Sequence, residues 1–304
     1  MGPESVTKLT IWWDGDSILL VDQTKLPRQY KLIRIKNVSE LIKAIRELKI
    51  RGAPALAAAG AYGTALAASQ IAAPDIVAFK DRVHGAAKSI LGTRPTAINL
   101  FYGVNRVLKA IEPCIDIEEA QTTALNEAIC IADEDIVTNK ALGAVGASLL
   151  NDGDVVMTYC NAGRLATVGW GTALGVVRSA IDDGKRIAVY ACETRPLNQG
   201  SRITAFELLE DRIPTTLIAD NMAAWTMKQG KISCVIVGAD RITRTAVYNK
   251  IGTYMLAICA KKHAIPFYVA APWSTFDFES IQVEIESRNE RELIFCGSKQ
   301  IAPL

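Results

Sequence analysis

The chain has 304 residues, half of them hydrophobic and 22% charged, with a formal net charge of +2. Such a composition belongs to a globular protein with a substantial core in one large or two ordinary domains, and so mild a charge gives no argument for a nucleic-acid protein. Seven scattered cysteines (114, 130, 160, 192, 234, 259 and 296), with no Cys-x-x-Cys pair and no signal peptide ahead of them, imply a reducing, cytoplasmic setting. His84 and His263 lack ligand spacing, so no metal is expected.

In chain order, Leu9 to Asp22 sets two apolar runs about an Asp-Gly turn, the pattern of a β-hairpin. Nine Lys or Arg against two Glu between Lys25 and Arg51 read as the solvated faces of amphipathic helices rather than as a nucleic-acid surface. Val38 to Leu48 has apolar residues at 38, 41, 42, 45 and 48, and Ala97 to Ile111 repeats that helical period. Between these lies Ala53 to Ala73, 21 residues without a charge and long enough to cross a bilayer. Its side chains are mostly Ala and Gly, with Ser69 and Gln70, so transfer to lipid gains little. A buried helix lying close against another backbone, with Pro54 in its first turn, explains it better, and no membrane association is expected. Glu118 to Leu150 then reads as a mostly helical connection.

From Asp154 the pattern becomes a βαβ series. Strands are predicted at Val155–Tyr159, Ile187–Ala191, Thr216–Ala219, Cys234–Val237, Phe267–Ala271 and Leu293–Cys296, and helices at Ala166–Ile181, Arg202–Glu210, Met222–Lys228 and Gly252–Lys262. The fold class expected is therefore α/β: a Rossmann-like, mostly parallel sheet domain over residues 131–304, preceded by a smaller, mainly helical N-terminal domain over residues 1–130 that carries a short β-hairpin. Right-handed crossovers would collect Cys160, Glu193, Asp220, Asp240 and Pro272 along one edge of the sheet. The chain stops at Leu304 without the closing helix of a doubly wound sheet, as a chain with a missing tail would.

Thr158 to Thr172 is the most informative stretch, because it sets a thiol where an apolar strand turns into a Gly-punctuated segment before the next helix. Open α/β sheets keep their chemistry at such ends, and a helix N-terminus beside Cys160 would offer amides to an anion and lower the thiol pKa. Gly238-Ala-Asp-Arg-Ile242 follows another strand, so Asp240 should emerge beside Cys160 if the two strands are neighbours, giving a thiol and a carboxylate for acid–base work. The plainer readings are a turn-capping Asp240 and a buried Cys160. Asn249-Lys-Ile-Gly-Thr253, Arg51-Gly-Ala-Pro54 and Gly92-Thr-Arg-Pro95 each put a cation beside backbone donors at a helix start, the composition of a phosphate site if they converge. Glu193-Thr-Arg-Pro-Leu-Asn-Gln-Gly200 is a polar loop with groups suited to a polyol, or an ordinary βα loop. The glycines at 163, 169 and 171 do not form Gly-x-Gly-x-x-Gly directly after a strand, so a dinucleotide is not expected.

Taken together and in order, Arg51-Gly-Ala-Pro, Tyr159-Cys-Asn-Ala-Gly-x-Leu-Ala-Thr, Glu193-Thr-Arg-Pro, Gln199-Gly, Asp220-Asn-Met, Gly238-Ala-Asp-Arg-Ile, Asn249-Lys-Ile-Gly-Thr-Tyr and Ala270-Ala-Pro-x-Ser-Thr resemble the methylthioribose-1-phosphate isomerase family from about Trp12 to Pro303. Its wider superfamily also holds ribose-1,5-bisphosphate isomerase and regulatory subunits of the eukaryotic initiation-factor exchanger, so fold alone does not assign activity. The resemblance implies a cofactor-free aldose–ketose isomerase of methionine salvage, a homodimer that converts 5-methylthioribose 1-phosphate to 5-methylthioribulose 1-phosphate. It makes Asp240 the acid that assists ring opening and Cys160 the group serving proton transfer between carbons 1 and 2. It assigns Arg51, Gly52, Ala53, Arg94, Gln199, Asn249 and Lys250 to the phosphate and hydroxyls of the phosphorylated pentose.

Two departures bear on the substrate. Thr243-Arg-Thr-Ala-Val-Tyr248 lacks the family's Gly and is one residue shorter, adding Arg244, and Arg164 stands where a small residue is commoner. Either arginine would suit a 5-phosphate, whereas a methylthio group would prefer Trp170, which leaves 5-deoxyribose 1-phosphate and ribose 1,5-bisphosphate as alternatives beside a non-catalytic regulatory subunit.

Overall fold

A computed structural model of the chain describes residues 8–280, 283, 285, 287–297 and 299–303. It falls into two compact units, each assembled from three stretches of chain: residues up to Ala141 with Arg164–Gly171 and Pro272–Thr275, and Leu142–Gly163 with Thr172–Ala271 and the residues from Phe276 on.

In the first unit β1 (Ile11–Asp14), β2 (Ser17–Val21) and β3 (Leu32–Ile35) form an antiparallel sheet in that order. The expected hairpin is its first two strands, joined at Gly15 with φ of 65°, and the third strand adds to it. Helices α1 (Val38–Arg46), α2 (Ala53–Gln70), α3 (Ile76–Leu91), α4 (Ile98–Ile111) and α5 (Ile117–Ala147) follow. Asn37 caps α1 by accepting the Glu40 amide at 3.0 Å, and Asp75 caps α3 by accepting the Ala78 amide at 2.8 Å. Helix α3 was not anticipated, although Asp75 and the buried Phe79, Val83, Ala87 and Ile90 carry its signal.

The uncharged segment is α2, buried along nearly its whole length. Its composition answers a packing demand. A Cβ on Gly103 of α4 would overlap the Ala57 carbonyl, and one on Gly60 would lie 2.9 Å from the Leu100 carbonyl oxygen, so the two helices meet backbone to backbone. No helix among the described residues is long and apolar enough to cross a membrane.

Residues 164–171 are held in this unit by groups distant in sequence. Thr10 Oγ1 donates to the Arg164 carbonyl and Gln23 Nε2 to the Leu165 carbonyl, both at 2.7 Å, and the Val168 amide donates to Asp135 Oδ2 at 2.7 Å. Asp135 also accepts from Asn139 Nδ2 at 2.9 Å.

The second unit holds β4 (Val155–Thr158), α6 (Ala173–Asp182), β5 (Ala188–Cys192), α7 (Ala205–Glu210), β6 (Thr215–Ile218), α8 (Ala223–Lys228), β7 (Cys234–Val237), the β8–β9 hairpin (Arg241–Ile242, Val247–Tyr248), α9 (Thr253–Lys262) and β10 (Phe267–Val269). Five strands form a parallel sheet in the order β10-β7-β4-β5-β6. The α/β class with a mostly parallel sheet and a helical, hairpin-bearing N-terminal region is thus the observed architecture. Leu293–Cys296 does not join the sheet: Arg291–Ile294 is a helical turn, α10, and β11 (Phe295–Cys296) pairs antiparallel with β12 (Lys299–Gln300). A run of four apolar residues does not by itself distinguish a strand from a helical turn, and here Leu293 and Ile294 close the turn while Phe295 and Cys296 enter the two-stranded hairpin.

Burial raises the Asp135 carboxyl from 3.8 to about 6 against the two hydrogen bonds that lower it. A raised carboxylate pKa favours folding below the unfolded value, and that contribution is lost as pH rises from about 4 through about 6. Asp135→Asn keeps an acceptor for Val168, and its amide can face a flipped Asn139. We therefore expect it to be more stable than wild type by ~2 kcal/mol at pH 8, with the difference closing toward pH 4, in urea unfolding followed across pH.

Candidate active site

The sheet order places a topological switch at β4: the chain builds β5 and β6 to one side and then crosses to lay β7 and β10 on the other. Loops leaving β4 and β7 diverge there, opening a crevice beyond their carboxyl ends. Met157 of β4 pairs with Val235 of β7, so Cys160, just past the end of β4, and Asp240, just past the end of β7, follow adjacent parallel strands. The condition on which the sequence reading joined thiol and carboxylate, neighbouring strands, is met. Cys160 is half-buried and Asp240 exposed. The Asp240 amide donates to the Tyr248 carbonyl at 2.9 Å, which folds the β8–β9 hairpin back onto it.

The loop after β4 differs from expectation in one respect. Its helix starts at Ala173 rather than Ala166, with only a short 3₁₀ turn at Arg164–Ala166, so Cys160 does not cap a helix. The Ala162 carbonyl instead takes the amides of Thr172 at 3.0 Å and Leu174 at 3.2 Å, which closes the loop on the first turn of α6. Beneath it lies a carboxylate with no exposed surface: Glu207 Oε1 accepts from Asn161 Nδ2 at 2.9 Å, and Oε2 pairs with Arg178 at 2.8 Å. A Cβ on Gly163 would collide with that carboxylate, which makes glycine the residue that fits. Burial alone would lower the Arg178 pKa, but Glu207 and Asp211 raise it. Sequence reasoning missed Glu207, since a Glu in a predicted helix gives no sign of facing inward.

Of the other residues assigned by resemblance, the second unit holds Gln199, Asn249 and Lys250. Gln199 is 6% exposed, and its Oε1 is buried with no hydrogen-bond partner among the described residues, the condition of a group built to meet something absent from the chain. Asn249 donates to Thr253 Oγ1 at 3.1 Å, and the Thr253 amide to the Lys250 carbonyl at 3.0 Å, so this pair is fixed to the start of α9. Gly252, with φ of 102°, has Tyr159 against it where a Cβ would stand. Arg244 is exposed, donates to the Phe278 carbonyl at 3.0 Å and lies over the Phe278 ring. The first unit holds the rest. Arg51 is 9% exposed, Gly52 is the N-cap of α2 with φ of 94°, Ala53 is the helix's first residue and Arg94 is half-buried in the turn before α4. Gly52 leaves the space in which Ala166 lies, its backbone 2.5 Å from where a Cβ would be, and Arg164 is itself buried.

Two further thiols are chemically quiet. Burial, with Asp220 and Glu193 adding to it, pushes Cys192 up to about 12, and burial with Asp154 does the same for Cys234. Among the described residues no cluster of His, Cys, Asp or Glu could hold a metal ion.

A parallel sheet in the order 3-2-1-4-5, with a thiol and a carboxylate after the two strands that flank its switch point, defines an α/β protein of the class that binds small molecules at that edge. Residues 49–304 match the initiation factor 2 subunit family, and the chain belongs to that family. It is 49% identical to a methylthioribose-1-phosphate isomerase of Thermosipho melanesiensis over 97% of this chain and 86% of that protein. A crystal structure of 5-methylthioribose 1-phosphate isomerase from Pyrococcus horikoshii superposes with a TM-score of 0.90 at 40% identity, covering 97% of this chain and 84% of the other. One described as translation initiation factor eIF-2B, subunit delta, from Archaeoglobus fulgidus superposes at 0.86 with 56% identity, covering 97% and 87%.

Removing one partner of a buried ion pair strands the other. Glu207→Ala is expected to cost about 3–5 kcal/mol in urea denaturation, while Glu207→Gln, which still receives Asn161, costs less.

Proposed function

We propose that the protein is an aldose–ketose isomerase that converts 5-methylthioribose 1-phosphate to 5-methylthioribulose 1-phosphate. The observation that carries this reading is the placement of Cys160 and Asp240 after adjacent parallel strands at the switch point. The buried, unpartnered Oε1 of Gln199 in the same unit and the names of the relatives support it.

The substrate's phosphate sits on the anomeric oxygen and blocks simple ring opening. In this reading Asp240 protonates the ring oxygen as its bond to carbon 1 breaks, the Cys160 thiolate takes the proton from carbon 2 and returns it to carbon 1, and the proton of the carbon-2 hydroxyl passes to Asp240 as the ketone forms, which restores the acid. Gln199, Asn249 and Lys250 hold hydroxyls and phosphate, Lys250 neutralising charge and Gln199 gaining the donor its Oε1 lacks. The names of the relatives favour the methylthio substrate over ribose 1,5-bisphosphate. We also propose a cytoplasmic homodimer, consistent with seven free thiols and checked for stoichiometry by light scattering on the eluting protein.

A second reading, a non-catalytic regulatory subunit, is favoured by the description given to the Archaeoglobus fulgidus structure. Incubating the protein with 5-methylthioribose 1-phosphate, 5-deoxyribose 1-phosphate and ribose 1,5-bisphosphate, and following ketose formation, separates the two. Turnover of the first fastest is the expected result; turnover of none would move the protein to the binding class. Cys160→Ser and Asp240→Asn should each lower kcat by about 10²–10⁴ without shifting Tm, and folded variants at wild-type rate would remove these roles.

A further inference from the structure

Cys160 has a left-handed backbone, φ of 66°, and so does Thr194, also at 66°. For a β-branched residue such a conformation is a marked outlier that persists only where surrounding bonds impose it. The two residues are joined: the Cys160 amide donates to Thr194 Oγ1 at 2.9 Å, and that hydroxyl donates to the Cys192 carbonyl at 3.0 Å. Thr194 is held in turn by Asp220, whose Oδ1 accepts the Thr194 amide and whose Oδ2 accepts the Arg195 amide, each at 2.7 Å.

These residues follow β4, β5 and β6, three consecutive strands of the sheet, so a carboxylate on the outermost strand fixes the middle loop and the middle loop's hydroxyl fixes the thiol's backbone. On its other side the Cys160 carbonyl accepts from Thr204 Oγ1 at 2.6 Å. Gly200 admits the close approach this needs, since a Cβ there would overlap the Cys192 carbonyl and lie 2.9 Å from Thr194 Oγ1.

We infer that Thr194, oriented by Asp220, is a positioning residue that sets the direction of the Cys160 thiol. This rests on the assignment of proton transfer to Cys160. The Thr194 hydroxyl accepts from the Cys160 amide and commits its one proton to the Cys192 carbonyl, so its work is to fix the peptide from which the thiol projects, and an isosteric methyl cannot replace it.

The test compares Thr194→Val, which keeps the shape, with Thr194→Ser, which keeps the hydroxyl, using 5-methylthioribose 1-phosphate. The valine variant is expected to lose about 10- to 100-fold in kcat with KM within about twofold and Tm close to wild type, and the serine variant to recover within about threefold. Asp220→Asn, which leaves one of the two amides without its carboxylate oxygen, should show the same split and carries the test if the valine variant does not fold. Because Thr194 acts through the thiol, adding Thr194→Val to Cys160→Ser should cause no further loss in single turnovers at enzyme excess. A folded valine variant at wild-type kcat, a serine variant as impaired as the valine, or additive losses in the double variant would overturn the inference while leaving Cys160 in place. Wild-type kcat in Cys160→Ser would instead remove the assignment on which it rests.

Discussion

The constraint on which the rest depends is the reversal of strand order at β4. A parallel sheet buries both faces, so its chemistry is confined to strand ends, and only where neighbouring loops turn to opposite sides is there room for a ligand. Here the reversal falls between β4 and β7. What distinguishes this edge from that of any other doubly wound sheet is how little of it is left loose. The loop after β4 closes on α6 through Ala162, rests on Glu207 and Arg178, and is tied by Thr204 and Thr194 at the Cys160 backbone.

Glu207 shows what such order costs. An ionised carboxylate without exposed surface is tolerable only because Arg178 and Asn161 meet both its oxygens. A hydrophobic substitute could be as stable, but it would not select one loop conformation, since only directional bonds discriminate between the arrangement seen and its near neighbours. Burial leaves Cys192 and Cys234 as unreactive core side chains.

Much of this was legible in the sequence. That Cys160 and Asp240 follow neighbouring strands could be read from two short apolar runs and a βαβ order, and the Ala and Gly content of α2 announced a backbone-to-backbone contact. What could not be read were partnerships between distant residues. Residues 164–171 carry enough apolar character to pass for a helix start. They are irregular because Thr10, Gln23 and Asp135 take their backbone groups instead. Thr194 and Asp220 were visible as members of a polar edge, but the threonine's left-handed backbone and its bond to the Cys160 amide exist only once three strands are aligned. Leu293–Cys296 failed for the opposite reason, as a local apolar pattern without a place in the sheet.

The glycines at 163, 200 and 252 leave a mark on how this scaffold can diversify. At each, a single methyl would run into a carboxylate, a carbonyl or a phenol already in place, so drift or laboratory recombination in those loops meets an immediate steric wall. In the β8–β9 turn Arg244 and Thr245 are exposed. New specificities on this architecture are thereby channelled toward that hairpin.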